Sequence, residues 1–276
     1  MRPLRLLRLL LTVVLAAITA LSFAPAAQAT APSAQAAAGK YVALGDSYTV
    51  AVGTETYDDP DHECRRGPLS YTRLWAAAHP GVEFVEAACS GDTTADLVAN
   101  QLPAVTPDTT LVTIQVGGND VGFVDVLTNC ILTIDDQDCL DGAALAEQAA
   151  HAHLSPALAD AYAAVRAAAP SAQVIVVGYP RLYTIEGDCG ILGLSDRERT
   201  ALNNAADTLA EIMAARSAEA GLTFLDARPV FDPHTICSGN PEWLTSLEWS
   251  NIRESYHPNA AGHRDGYAAA LTALTG

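Results

Sequence analysis

Four separated segments of the sequence contain the residue types that nucleophilic catalysis at a carbonyl requires. They are Gly45-Asp46-Ser47, Ala88-Cys89-Ser90-Gly91-Asp92, Gly117-Gly118-Asn119-Asp120 and His257-Pro258-Asn259. A serine hydroxyl becomes a nucleophile near neutral pH when a base accepts its proton, and histidine is the side chain best suited to that task. We therefore expect Ser47 to act as a nucleophile and His257 as its base.

The tetrahedral intermediate of such a reaction carries a negatively charged oxygen that needs hydrogen-bond donors. The main-chain N–H groups of Ser47 and Gly91 and the side-chain amide of Asn119 could supply them. Glu254, three residues before His257, could orient the imidazole through its second ring nitrogen, as the acid of a catalytic triad does. The chain has no Gly-x-Ser-x-Gly segment, so an ordinary α/β-hydrolase site is not expected.

Apolar runs between these segments predict strands that alternate with helices. The predicted strands cover residues 41–45, 82–88, 111–116, 173–177 and 222–226. The predicted helices cover residues 70–78, 142–169, 194–220 and 258–273. Pro156 should break or kink the second helix, and Ser195 should cap the third. This alternation indicates a parallel sheet with helices on both faces, whose ligands bind beyond the carboxyl ends of the strands.

Residues 1–29 have the features of a secretory signal peptide. Three arginines precede an apolar run, and Ala27 and Ala29 provide the small residues of a cleavage site. An uncleaved membrane anchor is the alternative, but the apolar run is shorter than the roughly 20 residues that a span needs. We expect a flexible mature terminus at residues 30–39 and a single domain over residues 40–276.

The chain is strongly acidic. Its formal net charge of −17 becomes −20 without residues 1–29, because that segment contains three arginines and no acidic residue. Such a surface repels nucleic acid and anionic lipid, so we expect neither a nucleic-acid partner nor stable membrane insertion. The predicted protein is a secreted monomer.

All six cysteines follow the predicted signal peptide. They are Cys64, Cys89, Cys130, Cys139, Cys189 and Cys237. An even number in an exported chain indicates three disulfides, but about 15 pairings of six cysteines are possible. Cys130 and Cys139 bracket a short loop and form the simplest pair. No Cys-x-x-Cys pair or cysteine–histidine cluster is present, so we expect no metal.

Taken together and in this order, the four segments make the chain resemble the SGNH (GDSL-type) hydrolases, and most of all their secreted, disulfide-bonded lipase and esterase branch. The resemblance implies a three-layer flavodoxin-like α/β fold with strand order 2-1-3-4-5. It implies hydrolysis of carboxylic esters through an acyl-serine intermediate, without a metal or another cofactor. By position it makes Ser47 the nucleophile, His257 the base, and Ser47, Gly91 and Asn119 the oxyanion hole. In that branch the cysteines pair sequentially, which here implies Cys64–Cys89, Cys130–Cys139 and Cys189–Cys237.

Two positions depart from the family pattern. Tyr48 replaces the leucine of the GDSL name, and we assign its side chain no chemical role. Glu254 occupies the position where the family usually has an aspartate. In some members of the branch a main-chain carbonyl orients the histidine instead, so a Glu254 carboxylate and a carbonyl are both open alternatives.

Three functions are compatible with these features. The first is a lipase or esterase acting on fatty-acyl esters, and the second is a carbohydrate or phospholipid deacylase with the same catalytic groups. The third is a non-catalytic binding protein of the same fold. Several apolar side chains of late loops could line an acyl pocket or belong equally well to the core: Tyr183, Ile191, Leu192, Leu194, Trp243, Leu244 and Trp249.

Overall fold

The computed structural model describes residues 39–132, 135–187, 189 and 193–276. Its strands are β1 (Lys40–Gly45), β2 (Glu83–Glu86), β3 (Thr109–Gln115), β4 (Gln173–Val177) and β5 (Thr223–Leu225). All neighbouring pairs are parallel, and the strand order is β2-β1-β3-β4-β5. The predicted fold class and strand order are therefore confirmed.

Helices follow the strands and cover the sheet. They are α1 (Tyr71–Ala78), α2 (Thr94–Asp96), α3 (Phe123–Leu132), α4 (Asp136–Ala149), α5 (Ser155–Ala168), α6 (Asp196–Glu219), α7 (Arg228–Phe231) and α8 (Ala269–Thr275). Turns of π-helix cover Leu97–Gln101, Ala150–Leu154 and Gly262–Ala268. Turns of 3-10 helix cover Leu102–Ala104, Asp232–His234 and Ile252–Glu254.

The central strands are mostly apolar because helices cover both faces of a parallel sheet. Leu44 in β1, Ile114 in β3 and Ile175 in β4 are all completely buried. The polar groups of β1 and β3 that face the core bind each other, as between the hydroxyls of Tyr41 and Thr113 at 2.8 Å. The sheet is thus a rigid base from which the strand ends present the site.

The long helix predicted at residues 142–169 is two helices, α4 and α5. The π-helical turn Ala150–Leu154 joins them directly before Pro156, which lies in the first turn of α5. Proline has no N–H to donate into the preceding turn, so a local widening at this point is the expected response. Ser195 caps α6 as predicted, and its hydroxyl accepts from the main-chain N–H of Glu198.

The structure contains the three disulfides that the resemblance implied: Cys64–Cys89, Cys130–Cys139 and Cys189–Cys237. Cys130 lies in α3 and Cys139 in α4, so the pair that the sequence marked as the simplest is present and joins two helices. Within the described part of the chain, no helix combines the length and the apolar character that crossing a bilayer requires.

Candidate active site

The turn after β1 presents Ser47 at the carboxyl end of the central strand. Gly45 has φ +150°, and a Cβ at this position would lie 2.1 Å from the hydroxyl oxygen of Thr49, so only glycine fits there. The Asp46 carboxylate, buried below the turn, accepts hydrogen bonds from the main-chain N–H of Tyr48 at 2.9 Å and from the Tyr179 hydroxyl. Burial raises the pKa of Asp46 to about 7, although both hydrogen bonds act in the opposite direction.

His257 lies next to Ser47, although 210 residues separate them in the sequence. The Nε2 atom of His257 is 2.8 Å from the Ser47 Oγ, and the Nδ1 atom is 2.9 Å from the main-chain O of Ser255. A carbonyl oxygen only accepts, so Nδ1 carries the proton and Nε2 is free to accept one. Burial lowers the pKa of His257 to about 4, which keeps the imidazole neutral near pH 7.

The Glu254 carboxylate makes no hydrogen bond to the imidazole. The residue is completely buried, and its carboxylate accepts instead from the main-chain N–H of Gly53 at 2.7 Å and from the Tyr57 hydroxyl. Of the two alternatives for orienting His257, the carbonyl of Ser255 is the one in contact. Glu254 faces the loop at residues 53–57 and reaches the histidine only through its charge, which favours the protonated ring and so raises the pKa of His257.

Three N–H donors are available beside Ser47. Gly91 has φ +88° and space where a side chain would be. The Asn119 amide donates one N–H to the main-chain O of Asp92 at 2.9 Å, which fixes the amide and leaves its second N–H free. Within the described residues, no acceptor binds the main-chain N–H of Ser47 or Gly91. Ser47, Gly91, Asn119 and His257 all line one cavity.

A family model described as GDSL-like Lipase/Acylhydrolase matches residues 43–264. The chain belongs to this family. Lipase 1 of Streptomyces coelicolor is 45% identical over 271 residues, which are 98% of each chain. Two crystal structures are also similar, and each match covers 86% of this chain and 99% of the chain in the crystal structure. Phospholipase A1 from Streptomyces albidoflavus is 44% identical with a TM-score of 0.82, and an extracellular lipase from Streptomyces rimosus is 43% identical with a TM-score of 0.81.

These relatives identify the chain as an ester hydrolase of the lipase type. Two positioning residues of this GDSL-like hydrolase were missed in the sequence. The buried Gln101 side chain accepts from the Gly45 N–H at 2.7 Å and donates to the Asp92 carboxylate at 2.6 Å, so it joins the turn of Ser47 to the turn of Gly91. The Tyr179 hydroxyl, which donates to Asp46, also accepts from the Gly118 N–H at 3.4 Å. No local pattern marks either residue.

The hydrolase has a cavity of about 380 Å³ next to Ser47, within the range of small-molecule sites. Its apolar wall comes from α3, α4 and α6 and from the segments beside them: Val121, Phe123, Val124, Leu127, Ile131, Ala146, Ala150, Ala205, Ala206 and Leu209.

Among the late-loop residues that could have lined an acyl pocket, those that the structure describes do not line this cavity. Tyr183 and Leu244 are buried elsewhere, and Trp249 is 70% exposed. Ile191 and Leu192 lie outside the described residues. The apolar wall of the cavity therefore comes mainly from helices, including α3, which the sequence did not predict.

Two arginines, Arg65 and Arg253, line the same cavity as His257. Arg65 lies 5.1 Å from the centre of the Tyr57 ring, and Tyr57 in turn binds Glu254, the neighbour of Arg253. Neither guanidinium forms an ion pair among the described residues, although the acidic side chains of Asp46, Glu63 and Glu254 line the same cavity. The two guanidinium groups are therefore available to bind an anionic group of a ligand.

Proposed function

We propose that this hydrolase cleaves fatty-acyl carboxylic esters through an acyl-serine intermediate, with Ser47 as the nucleophile and His257 as the base. The observation that carries the proposal is the 2.8 Å contact between Ser47 Oγ and His257 Nε2 at one end of an apolar cavity. A neutral imidazole with its proton on Nδ1 is the form that can accept the serine proton.

The proposed reaction has two steps. The Nε2 of His257 takes the proton of Ser47 as Oγ attacks the ester carbonyl carbon, and the N–H groups of Ser47, Gly91 and Asn119 stabilise the oxyanion. The imidazolium then protonates the leaving alkoxide as the carbon–oxygen ester bond breaks. A water molecule deprotonated by His257 attacks the acyl-serine, which releases the carboxylic acid and returns the proton to Ser47. In both steps the Ser255 carbonyl accepts a hydrogen bond from the Nδ1–H of His257.

We expect kcat/KM for soluble acyl esters to rise with acyl length until the chain fills the cavity wall of α3, α4 and α6. Each added methylene contributes at most about 0.8 kcal/mol when it is fully buried, or about fourfold. The measurement is hydrolysis of p-nitrophenyl esters from acetate to palmitate, with Ser47→Ala as the blank for uncatalysed release.

A profile that is highest for acetate and falls with every longer chain would contradict a fatty-acyl specificity. It would favour the deacylation of carbohydrates, whose acyl groups are short. Equal rates for the wild type and Ser47→Ala would reject the acyl-serine route altogether.

A second candidate substrate is a phospholipid, and the two cavity arginines that form no ion pair favour it. The leaving alcohol must lie beside His257, which protonates it, and Arg65 and Arg253 line the same cavity. They could bind the phosphodiester of a glycerophospholipid while the acyl chain lies along the apolar wall. The similarity to the Streptomyces albidoflavus protein named phospholipase A1 supports this candidate.

We expect the double variant Arg65→Gln/Arg253→Gln to lower kcat/KM for a phospholipid by up to about 30-fold, because exposed charge pairs contribute roughly 0.2–1 kcal/mol each. Hydrolysis of a diacylglycerol with the same acyl chains, measured in the same detergent micelles, should change little. Arg197→Gln is the matched control, since its side chain is 66% exposed and does not line the cavity. Equal losses of kcat/KM for the phospholipid and the diacylglycerol would contradict binding of the phosphodiester by these arginines.

We also propose that the hydrolase is secreted after removal of residues 1–29 and acts as a monomer. The order of charged, apolar and small residues in that segment, the three disulfides and the similarity to a protein named as an extracellular lipase support secretion. All four groups of the proposed site come from one chain, which is why a second copy is not required.

A further inference from the structure

The backbone before His257 adopts a turn that its sequence does not favour. Ser255 has φ −58° and ψ 140°, Tyr256 has φ 63°, and the N–H of His257 faces the O of Glu254 at 3.4 Å. These values describe a type II β-turn, whose third residue needs positive φ and is usually glycine or asparagine. Here that residue is a tyrosine, so the turn stores strain that the surroundings must offset.

This turn determines where the Ser255 carbonyl points. That oxygen belongs to the peptide between the two central residues of the turn, and a type I turn would rotate the same peptide to the opposite side. In the type II form, the Ser255 O lies 2.9 Å from the Nδ1 of His257. The orientation of the histidine thus depends on keeping Tyr256 at positive φ.

Tyr48 binds this turn at its strained residue. Its hydroxyl donates a hydrogen bond to the main-chain O of Tyr256. Its ring centre lies 5.1 Å from that of His257 and 5.0 Å from that of Tyr179. The residue is 5% exposed, and burial raises the pKa of its hydroxyl far above the ordinary value, so the group remains a donor.

Tyr48 also follows the nucleophile in the chain, and its N–H donates to the Asp46 carboxylate at 2.9 Å. The same residue is therefore covalently attached to Ser47 and hydrogen-bonded to the residue before His257. We propose that Tyr48 is a positioning residue, which holds the strained turn of Tyr256 and so sets the imidazole against the Ser47 hydroxyl. The assignment rests on the proposed role of His257 and gives a positioning role to a side chain for which the sequence predicts no chemical one.

The test compares Tyr48→Phe with Tyr183→Phe. Both variants remove one buried hydroxyl near Tyr256, but the Tyr183 hydroxyl donates to the Tyr256 side chain at 3.1 Å and not to its main chain. We expect Tyr48→Phe to lower kcat for a short soluble ester by about 10- to 100-fold, with KM nearly unchanged, because small misplacements of a catalytic group have effects of this size. Tyr183→Phe should retain near wild-type kcat.

A spectroscopic measurement separates positioning from a loss of stability. The Nδ1 proton of His257, hydrogen-bonded to the Ser255 carbonyl, should give a downfield proton NMR signal in the wild type and in Tyr183→Phe. In Tyr48→Phe the signal should move upfield or broaden at temperatures where the variant is fully folded. The NMR signal is measured without substrate, so it tests the conformation of the turn even if His257 is not the base. Labelling of Ser47 by a phosphonate tests the proposed function separately.

A second pair of variants tests the turn without changing Tyr48. Tyr256→Gly and Tyr256→Val both lose the phenol, but glycine adopts positive φ freely and valine does not. We expect the glycine variant to keep the downfield signal and most of kcat, and the valine variant to lose both. The proposal is overturned if Tyr48→Phe matches Tyr183→Phe in kcat and in the NMR signal, or if the glycine and valine variants behave alike.

Discussion

Ser47→Ala and His257→Ala should each lower kcat for acyl esters by about 10⁴- to 10⁶-fold, and the double variant should be hardly slower than either one alone. The reason is the 2.8 Å contact between Ser47 Oγ and His257 Nε2. Without the base the hydroxyl stays protonated, and without the hydroxyl the base has no proton to accept. Single-turnover and steady-state hydrolysis of a p-nitrophenyl ester measure the loss, and a phosphonate should label the wild type but not Ser47→Ala.

Glu254→Gln is the informative control for this experiment. The Glu254 carboxylate binds the Gly53 N–H and the Tyr57 hydroxyl and not the imidazole, so we expect its amide to lower stability far more than kcat. A loss of kcat comparable to that of His257→Ala, at temperatures where the protein is folded, would restore Glu254 as a catalytic acid and contradict the orienting role of the Ser255 carbonyl.

The pH profile gives an independent check on the same base. His257 must be neutral to accept the proton, and burial lowers its pKa to about 4. The kcat/KM of a soluble ester should therefore hold constant as the pH falls from 7 and decline only near and below pH 4, where the imidazole becomes protonated. A decline centred near 6.5, the ordinary pKa of histidine, would show that the ring is solvated in the working enzyme.

Much of the fold followed from patterns that are local in the sequence. The apolar runs ending at Gly45 and Gln115 are short, rich in strand-forming residues and followed by turn residues, and Ser195 with Glu198 marks a helix start by its own capping chemistry. The helix α3 was not predicted, although its apolar residues Phe123, Leu127 and Ile131 recur at helical spacing. Its apolar side chains line the cavity and also join the core, in which Val126 and Leu127 are buried.

The candidate site was also predictable from the sequence only in part. Ser47, Gly91 and Asn119 were predicted by residue type and by their places after strands, and those places converge because parallel strands end at one edge of the sheet. His257 was predicted by residue type and by its place before the last helix. The orientation of single groups could not be predicted. Whether Glu254 or the Ser255 carbonyl binds the imidazole depends on the backbone angle φ of Tyr256. Contacts from Tyr48, more than two hundred residues away, and from Thr245, about ten residues away, hold that angle.

Asn119→Ala should lower kcat by about 10²- to 10³-fold and leave KM for a short ester nearly unchanged, because the donor acts on a charge that exists only in the transition state. The amide is held by the Asp92 carbonyl at 2.9 Å, so its free N–H has a fixed direction and needs no reorganisation as the oxyanion forms. Asp120→Asn is the matched control. It changes the next residue, whose carboxylate accepts from the Thr94 N–H at 3.1 Å, and it should alter kcat little.

Inhibitors distinguish oxyanion stabilisation from a disturbance of the neighbouring turn. A trifluoromethyl ketone forms a tetrahedral adduct with the serine and carries the developing oxyanion, so its affinity for Asn119→Ala should fall by about the same factor as kcat. An uncharged fatty amide of equal length keeps a planar carbonyl, and its affinity should stay close to that of the wild type. If both inhibitors weaken equally, the substitution has disordered the turn at Gly91, because the Asp92 carbonyl has lost its partner, and Asn119 is then a structural group and not an oxyanion donor.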